Sequence, residues 1–409
     1  MSALEGLDFK RQASGAQGAL LVALSLVSVA ATALLVPIMP KLIADFAPFD
    51  PAAEQKAIIA LSIPALVVGI ISPFIGKMTD TFGRKRLLVA ALFFYGLVGV
   101  APAFMHDLNL IIMSRIAIGI MEAMIMVSST TMIGDYFHGE TRERWLAGQA
   151  GAASLGAVIF FGLGGAMGDG SWRNTFMLFA ASLVAAVAAV WLLHEPRKTV
   201  REERISVLKF PWHKMRGLYA LSFFGAILFF VPQIQVPFLL GEHGITSSQT
   251  IGLVTAAGAL AVPVGSIIFK LRSKASYWSN LVLAFALMTV GILLMSRNLG
   301  VPFFVGAVVL ANLGCGIFLP QMITGIMAHL HFDLRGRGTS GWQLAFFLGN
   351  FVSPLIILAL AALLGRTSLA VASMAGVSAL IVIVLLVLRP LNEVDETPSI
   401  AAATPSANG

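Results

Sequence analysis

The stretch that decides the fold reads G-K-M-T-D-T-F-G-R-K-R, residues 76–86, between two long apolar runs. Gly76 and Gly83 permit tight backbone geometry where one helix stops and another starts. Asp80 between them is placed to cap a helix start or to pair with a cation. Arg84, Lys85 and Arg86 then stack positive charge just beyond the apolar run, as a cytoplasmic membrane loop does. The rest of the chain agrees. Of its 409 residues 58% are hydrophobic and 11% charged, with a mean hydropathy of +0.89, which excludes an ordinary soluble protein. At roughly 20 apolar residues per span there is room for about twelve membrane helices. The runs are continuous rather than alternating, so helices are expected and not a barrel. The single cysteine, Cys315, excludes an intrachain disulfide and a cysteine-rich metal site.

Taken in order, residues 1–17 form a polar cytoplasmic N-terminus. A first span follows at about 18–40, with Pro37 and Pro40 near its far end. Its charged lead and small residues also fit a cleaved signal peptide, but its length suits an uncleaved helix. Further spans are expected near 57–77, 87–104, 110–133, up to 168 after a loop at 134–144, and 175–193. The charged segment 194–217 reads as a cytoplasmic linker. Six more spans fall near 218–240, 249–270, 279–296, 301–328, 339–364 and 368–388, and residues 389–409 read as a disordered cytoplasmic tail. With both ends inside, 21 of the 27 Lys and Arg residues fall in cytoplasmic segments and five in outer loops. That bias sets the orientation and also accounts for the net charge of +7 without a nucleic-acid partner.

An internal repeat divides the chain. Arg144, Gly148, Leu155, Gly156 and Arg173 recur 193 residues later as Arg337, Gly341, Leu348, Gly349 and Arg366. L-L-V-P-I-M-P at 34–40 likewise resembles F-F-V-P-Q-I-Q-V-P at 229–237. The expectation is an all-α membrane protein whose twelve transmembrane helices form two pseudo-symmetric six-helix bundles, 18–193 and 218–388, around a central site.

Gly76, Asp80, Gly83, Arg84 and Lys85 match the spacing of the signature that major facilitator superfamily transporters carry between their second and third helices. The resemblance covers about residues 18–390. It implies the two-bundle fold and a secondary transporter. Arg115 and Gly119 match the fourth-helix motif of that family, whose arginine is implicated in proton coupling. In the fifth span, Gly156, Gly164 and Gly165 match the glycine pattern of the family's drug–proton antiporters, although Phe160 and Phe161 stand where that pattern has Gly-Pro. Close helix packing is therefore expected there and a proline bend is not.

Glu122 is the one acidic residue deep within a span, where charge is costly and marks a cavity or a partner. A carboxyl so placed suits proton uptake and release. Its alternative is a structural pairing, with Gln343 or Asn350. Arg115, seven residues earlier, projects from nearly the same helix face, so both are expected to look into the central cavity. Gln233, Gln235, Asn312, Gln321, Gln343 and Asn350 are expected substrate contacts, since amides both donate and accept. Met121 and Met126 suit an adaptable apolar wall. Each of these also fits plain interhelical contact or packing. Asp80 with Arg84, Asp135 with Arg142 and Arg144, and Asp333 with Arg335 and Arg337 form charged clusters expected to gate the cytoplasmic side. His329 and His331 read as a helix end rather than a metal site.

No nucleophile–base set or phosphate-binding glycine loop is present, which argues against an enzyme. The expected function is proton-coupled efflux of small amphipathic compounds by alternating access, across a bacterial-type inner membrane. The alternative is uptake or facilitated movement of a small polar solute. The expected partners are lipid, solute and protons; the energy source is the proton gradient, with no cofactor, and a monomer builds the whole site.

Overall fold

The computed structural model describes residues 14–196, 210–298, 300–331 and 334–392. Among these, twelve helices are long and apolar enough to cross a membrane. The first half holds α1 (Gly15–Phe46), α2 (Ala53–Phe82), α3 (Arg84–Phe104), α4 (Leu108–Tyr136), α5 (Gly139–Gly168) and α6 (Trp172–Leu192). The second holds α7 (Trp212–Ile234, continued by the short helix Val236–Glu242), α8 (Ser248–Leu271), α9 (Tyr277–Met295), α10 (Val301–Ala328), α11 (Arg335–Leu364) and α12 (Thr367–Asn392). Twelve crossings bring the start of α1 and the end of α12 to one side, the terminal face.

The expected spans match these helices to within a few residues, with three differences. The stretch 76–86 is hardly a loop, because α2 runs to Phe82 and α3 opens at Arg84. Nothing in K-M-T-D-T stops a helix, and Gly83 makes the whole turn in one residue at φ +92°, a conformation natural to glycine. The 134–144 loop likewise shrinks to Phe137 and His138 between α4 and α5. Third, α1 and α7 are broken. A 3-10 turn at Val36–Ile38 interrupts α1 beside Pro37 and Pro40. The second half breaks at Gln235, ahead of Pro237. Proline supplies no N–H to the preceding turn, which explains both. Residues 1–13, most of the linker (197–209), the tail from 393 and Asp333 lie outside the described residues.

The repeat is visible in packing. A Cβ placed on Gly156 of α5 would lie 2.9 Å from Leu26 of α1, and one on Gly349 of α11 would lie 2.6 Å from Ala226 of α7. Thus α5 rests on α1 as α11 rests on α7. Each half has an apolar core, and that of the first reaches across to Ile234, Ala256 and Ala259 of the second. The halves meet along α5–α8 and α2–α11. At the first seam two glycines bring backbones together: a Cβ on Gly165 would lie 2.4 Å from the Ser248 carbonyl, and one on Gly252 would lie 2.4 Å from that of Phe161. That seam lies at the face opposite the termini. Near mid-membrane, Gly69 of α2 admits Phe347 of α11.

The opposite face is pinned by polar contacts. Lys41 donates to the carbonyl oxygens of Gly168 (3.2 Å) and Asp169 (2.5 Å) and pairs with the Asp169 carboxylate at 3.1 Å. Three and four residues on, Trp172 and Arg173 both donate to Asp45, at 3.0 and 2.9 Å. Across the seam, Ser247 donates to Asp169 at 3.2 Å.

Candidate transport site

A cavity of about 470 Å³ lies between α2, α4 and α11. It reaches from Gly69 at mid-membrane to Gly336 at the terminal face. Its wall is formed by Ser72, Pro73 and Gly76 of α2, Met126, Val127, Thr130 and Thr131 of α4, and Thr339, Ser340 and Gln343 of α11. The hydroxyl protons are already committed. Ser72 donates to the Val68 carbonyl (2.6 Å), Thr131 to that of Val127 (2.7 Å) and Ser340 to that of Gly336 (2.9 Å). Thr339 donates to the carbonyls of Arg335 and Gly336, both at 3.0 Å. Thr130 donates to Gln149 of α5 at 3.1 Å. What these groups turn to a guest is oxygen lone pairs, and the Gln343 amide adds donors. Among the described residues, no formally charged side chain lines the cavity.

Glu122 lies one helical turn deeper than Met126. It is buried, and its Oε2 has no hydrogen-bond partner. Neither Gln343 nor Asn350 pairs with it among the described residues, and the Asn350 Oδ1 is itself unpartnered. Arg115, two turns earlier on the same helix, is the charged group acting on Glu122.

Neither Glu122 nor Arg115 lines the cavity, contrary to the expectation from their spacing: Glu122 is buried one turn beyond the wall, and Arg115 lies further from it, inside the first bundle. The arginine side chain is fully enclosed there. Nε donates to the Ala60 carbonyl of α2 at 3.3 Å, Nη2 donates to the Ala31 carbonyl of α1, and the guanidinium lies 5.6 Å from the Phe179 ring centroid of α6. Seven-residue spacing fixes a helix face but not what that face is packed against. Gly119, between the two, lets α2 press on α4: its Cβ would lie 2.8 Å from the Pro64 carbonyl.

Of the amides expected to contact substrate, Gln343 lines the cavity and Asn350 lies two turns deeper on the same face of α11. Gln235 is buried at the break after α7, and Gln233 is half-buried beside it. The other two amides serve packing: Asn312 donates to the Val308 carbonyl (2.9 Å) next to Gly258 of α8, and Gln321 donates to the Tyr277 carbonyl of α9 at 3.1 Å. Met126 borders the cavity, while Met121 packs on the first core.

The charged clusters also rearrange. Arg84 pairs with Asp80 at 3.2 Å and with Asp135. Arg144 takes Glu140 instead, at 2.6 Å on the exposed side of α5, and Arg142 lies along Gly134. The reason is that α4 extends past Asp135 and delivers it to Arg84. Glu195, just after α6, caps α3 by accepting from the backbone of Arg84 (2.5 Å) and Lys85 (3.1 Å). These pairs all lie within the first half. Arg337 stacks on Phe210 at 5.4 Å, within the second. His329 Nδ1 lies 2.7 Å from the Gly325 carbonyl at the end of α10. The cavity-lining Ser72, Thr130, Thr131, Thr339 and Ser340 were not foreseen; each is an ordinary polar residue of an apolar helix, with no sequence mark of its direction.

Two six-helix membrane bundles that enclose a cavity at their seam define a secondary transporter. The family model described as Major Facilitator Superfamily matches residues 21–330, and the chain belongs to that superfamily. It is 27% identical over 208 residues to "Multidrug resistance protein 1" of Bacillus subtilis (strain 168), a match covering 49% of this chain and 53% of that protein. It is 26% identical to "Multidrug resistance protein 2" of the same organism, covering 59% and 63%. The chain thus matches little more than half the length of these relatives. Among solved structures, a bacterial homologue of the human lysosomal transporter Spinster, inward-facing and occupied, superposes with a TM-score of 0.70 at 16% identity, covering 90% of this chain and 93% of that one. The nucleoside transporter NupG, as a mutant, gives 0.73 at 10% identity, covering 91% and 99%. Both likenesses concern the fold.

Proposed function

We propose that the protein is a proton-coupled exporter of small amphipathic compounds in a bacterial-type inner membrane, with both termini cytoplasmic. The observation that carries this reading is Glu122: a buried carboxyl with an unpartnered oxygen, one turn beyond the cavity wall. Protonation neutralises a charge that the surrounding helices do not fully compensate. Solute in the cavity and a proton on Glu122 then compete to stabilise different facings of the same site. Arg115 acts on that carboxyl through its field while tied to α1 and α2. Gln343, Asn350, Gln233, Gln235 and Met126 offer polar and adaptable contacts around the seam. The multidrug-resistance names of the B. subtilis relatives support efflux, and the 21-to-5 distribution of Lys and Arg supports the orientation. A monomer supplies every residue invoked, and the proton gradient supplies the energy.

A second reading is facilitated transport or uptake of a small polar solute. The uncharged, hydroxyl-bearing cavity wall favours it.

The test uses inside-out vesicles with an imposed pH gradient and a pH-sensitive dye. Amphipathic drugs and neutral polar solutes are added in turn to wild type and to Glu122→Gln. Solute-triggered proton release is expected in wild type and lost in the variant. Release that persists in Glu122→Gln removes Glu122 as carrier. Solute crossing with no proton movement favours the second reading.

A further inference from the structure

Asp169 is a side chain through which both halves are joined at the opposite face. It follows α5 directly and lies beside the first turn of α8. On its own half it receives Lys41 at 3.1 Å, and Lys41 also donates to the carbonyls of Gly168 and Asp169 that end α5. From the other half it receives the Ser247 hydroxyl at 3.2 Å and the backbone N–H of Gln249. Ser247 is the N-cap of α8, its Oγ accepting from the Thr250 backbone at 3.3 Å. A carboxylate at that position thus faces the positive end of a 24-residue helix belonging to the opposite bundle. Lys41 correspondingly faces the negative end of α5. The turn carrying Asp169 is itself held by the bonds of Trp172 and Arg173 to Asp45. Directly beneath, Gly165 and Gly252 bring the two backbones into contact.

We infer that Asp169, held by Lys41, is a latch that controls opening of the transporter at this face, by acting as a cap in trans for α8. Separating α5 from α8 strips Ser247 and Gln249 from Asp169 but leaves Lys41 in place. What opening costs here is therefore the bonds that Asp169 takes from the start of α8, and a substitution at Asp169 shifts the resting balance between the two facings. The inference concerns the conformational step of transport. It holds whether the solute leaves with or against protons, so its failure is separable from that of the export reading.

The experiment measures a distance and needs no substrate. Spin labels go on cysteines at Asn109 and Arg297, exposed positions on this face in different halves and away from the latch, with Cys315→Ala to remove the native thiol. Pulsed-dipolar distances are recorded on the purified full chain in lipid nanodiscs. Asp169→Ala is expected to raise the ratio of long-distance to short-distance population about fivefold, the effect of losing both bonds to α8 at a carboxylate that is 41% exposed. Ser247→Ala is expected to move it the same way by less, since the Gln249 bond remains. Asp169→Asn keeps the acceptor and lies between. If Asp169→Ala does not yield folded protein, Ser247→Ala and Asp169→Asn decide. Distance distributions unchanged in the folded variants overturn the inference, as does a shift toward shorter distances.

Discussion

At the scale of single residues, Arg115 and Glu122 show how one helix face is put to two uses. Arg115 ties three helices of one bundle by carbonyl bonds and an aromatic face. Arg115→Ala leaves two buried carbonyls unpaired and a void, and is expected to cost about 3 kcal/mol, read as an earlier unfolding midpoint in detergent. Arg115→Lys keeps the charge but lacks the fork that reaches two helices at once, so an intermediate loss is expected. A midpoint unchanged in Arg115→Ala would show that these bonds contribute little. Both residues stand out in the sequence, because ionised groups are rare inside spans. Their separation into bundle interior and cavity margin was not: periodicity names a face, and only the packing of α1, α2 and α6 says what lies against it. Asn312 and Gln321 turn away from the cavity for a similar reason, donating to backbone carbonyls, Val308 on Asn312's own helix and Tyr277 on α9.

At the scale of elements, length and hydropathy located the helices, while their ends followed capping and glycine chemistry that composition does not weigh. The near-absence of a loop between α2 and α3 rests on one positive-φ glycine and on Glu195, which arrives from more than a hundred residues away. The α5–α8 seam is more demanding still. Gly165→Val places side-chain atoms where the Ser248 carbonyl now lies, and the seam can no longer close. Transport is expected to fall to background with expression retained, whereas Gly162→Val, with open space at that position, is expected to be tolerated. Equal loss in both would point to a general folding defect. The latch adds a pH dependence. Lys41 first, and then Ser247 and Gln249 across the seam, hold the Asp169 carboxyl below the usual carboxylate range in the closed form; Lys41 stays on opening, so the Ser247 and Gln249 share is what separates the two facings. The stabilisation is therefore fully present above that range and is lost as pH falls through the lowered value. Lys41 is the charged group acting on it. The closed fraction is expected to be flat above about pH 6 and to drop in stronger acid; a midpoint near neutrality would point to another group. Lys41, Asp169 and Ser247 left faint marks in the sequence, as one of five outer basic residues, an acid after a helix end and a Ser before a helix start. Nothing there says that they meet.

For the whole molecule, contacts are distributed unevenly between the two faces: a tight seam at one, a cleft at the other. A hydrophilic maleimide added from the terminal face should therefore label Thr130→Cys and Thr339→Cys in a Cys315→Ala background, and Asp169→Ala should slow both reactions by populating the other facing. Labelling equally fast from the opposite face would contradict the described arrangement. The twofold plan was readable from the repeat, since Gly156 and Gly349 perform the same packing in each half. Which end of the seam is closed was not readable, because both facings use the same sequence. The Gly165–Gly252 contact has a mechanical meaning as well. It is a fulcrum near one end of α5, a lever of 30 residues and so about 45 Å long. A tilt of about 10° there swings the far end, about 39 Å from Gly165, by about 7 Å, most of the spacing of two packed helices. Stroke is set by helix length and effort by a short line of backbone contact, so the two can be altered independently.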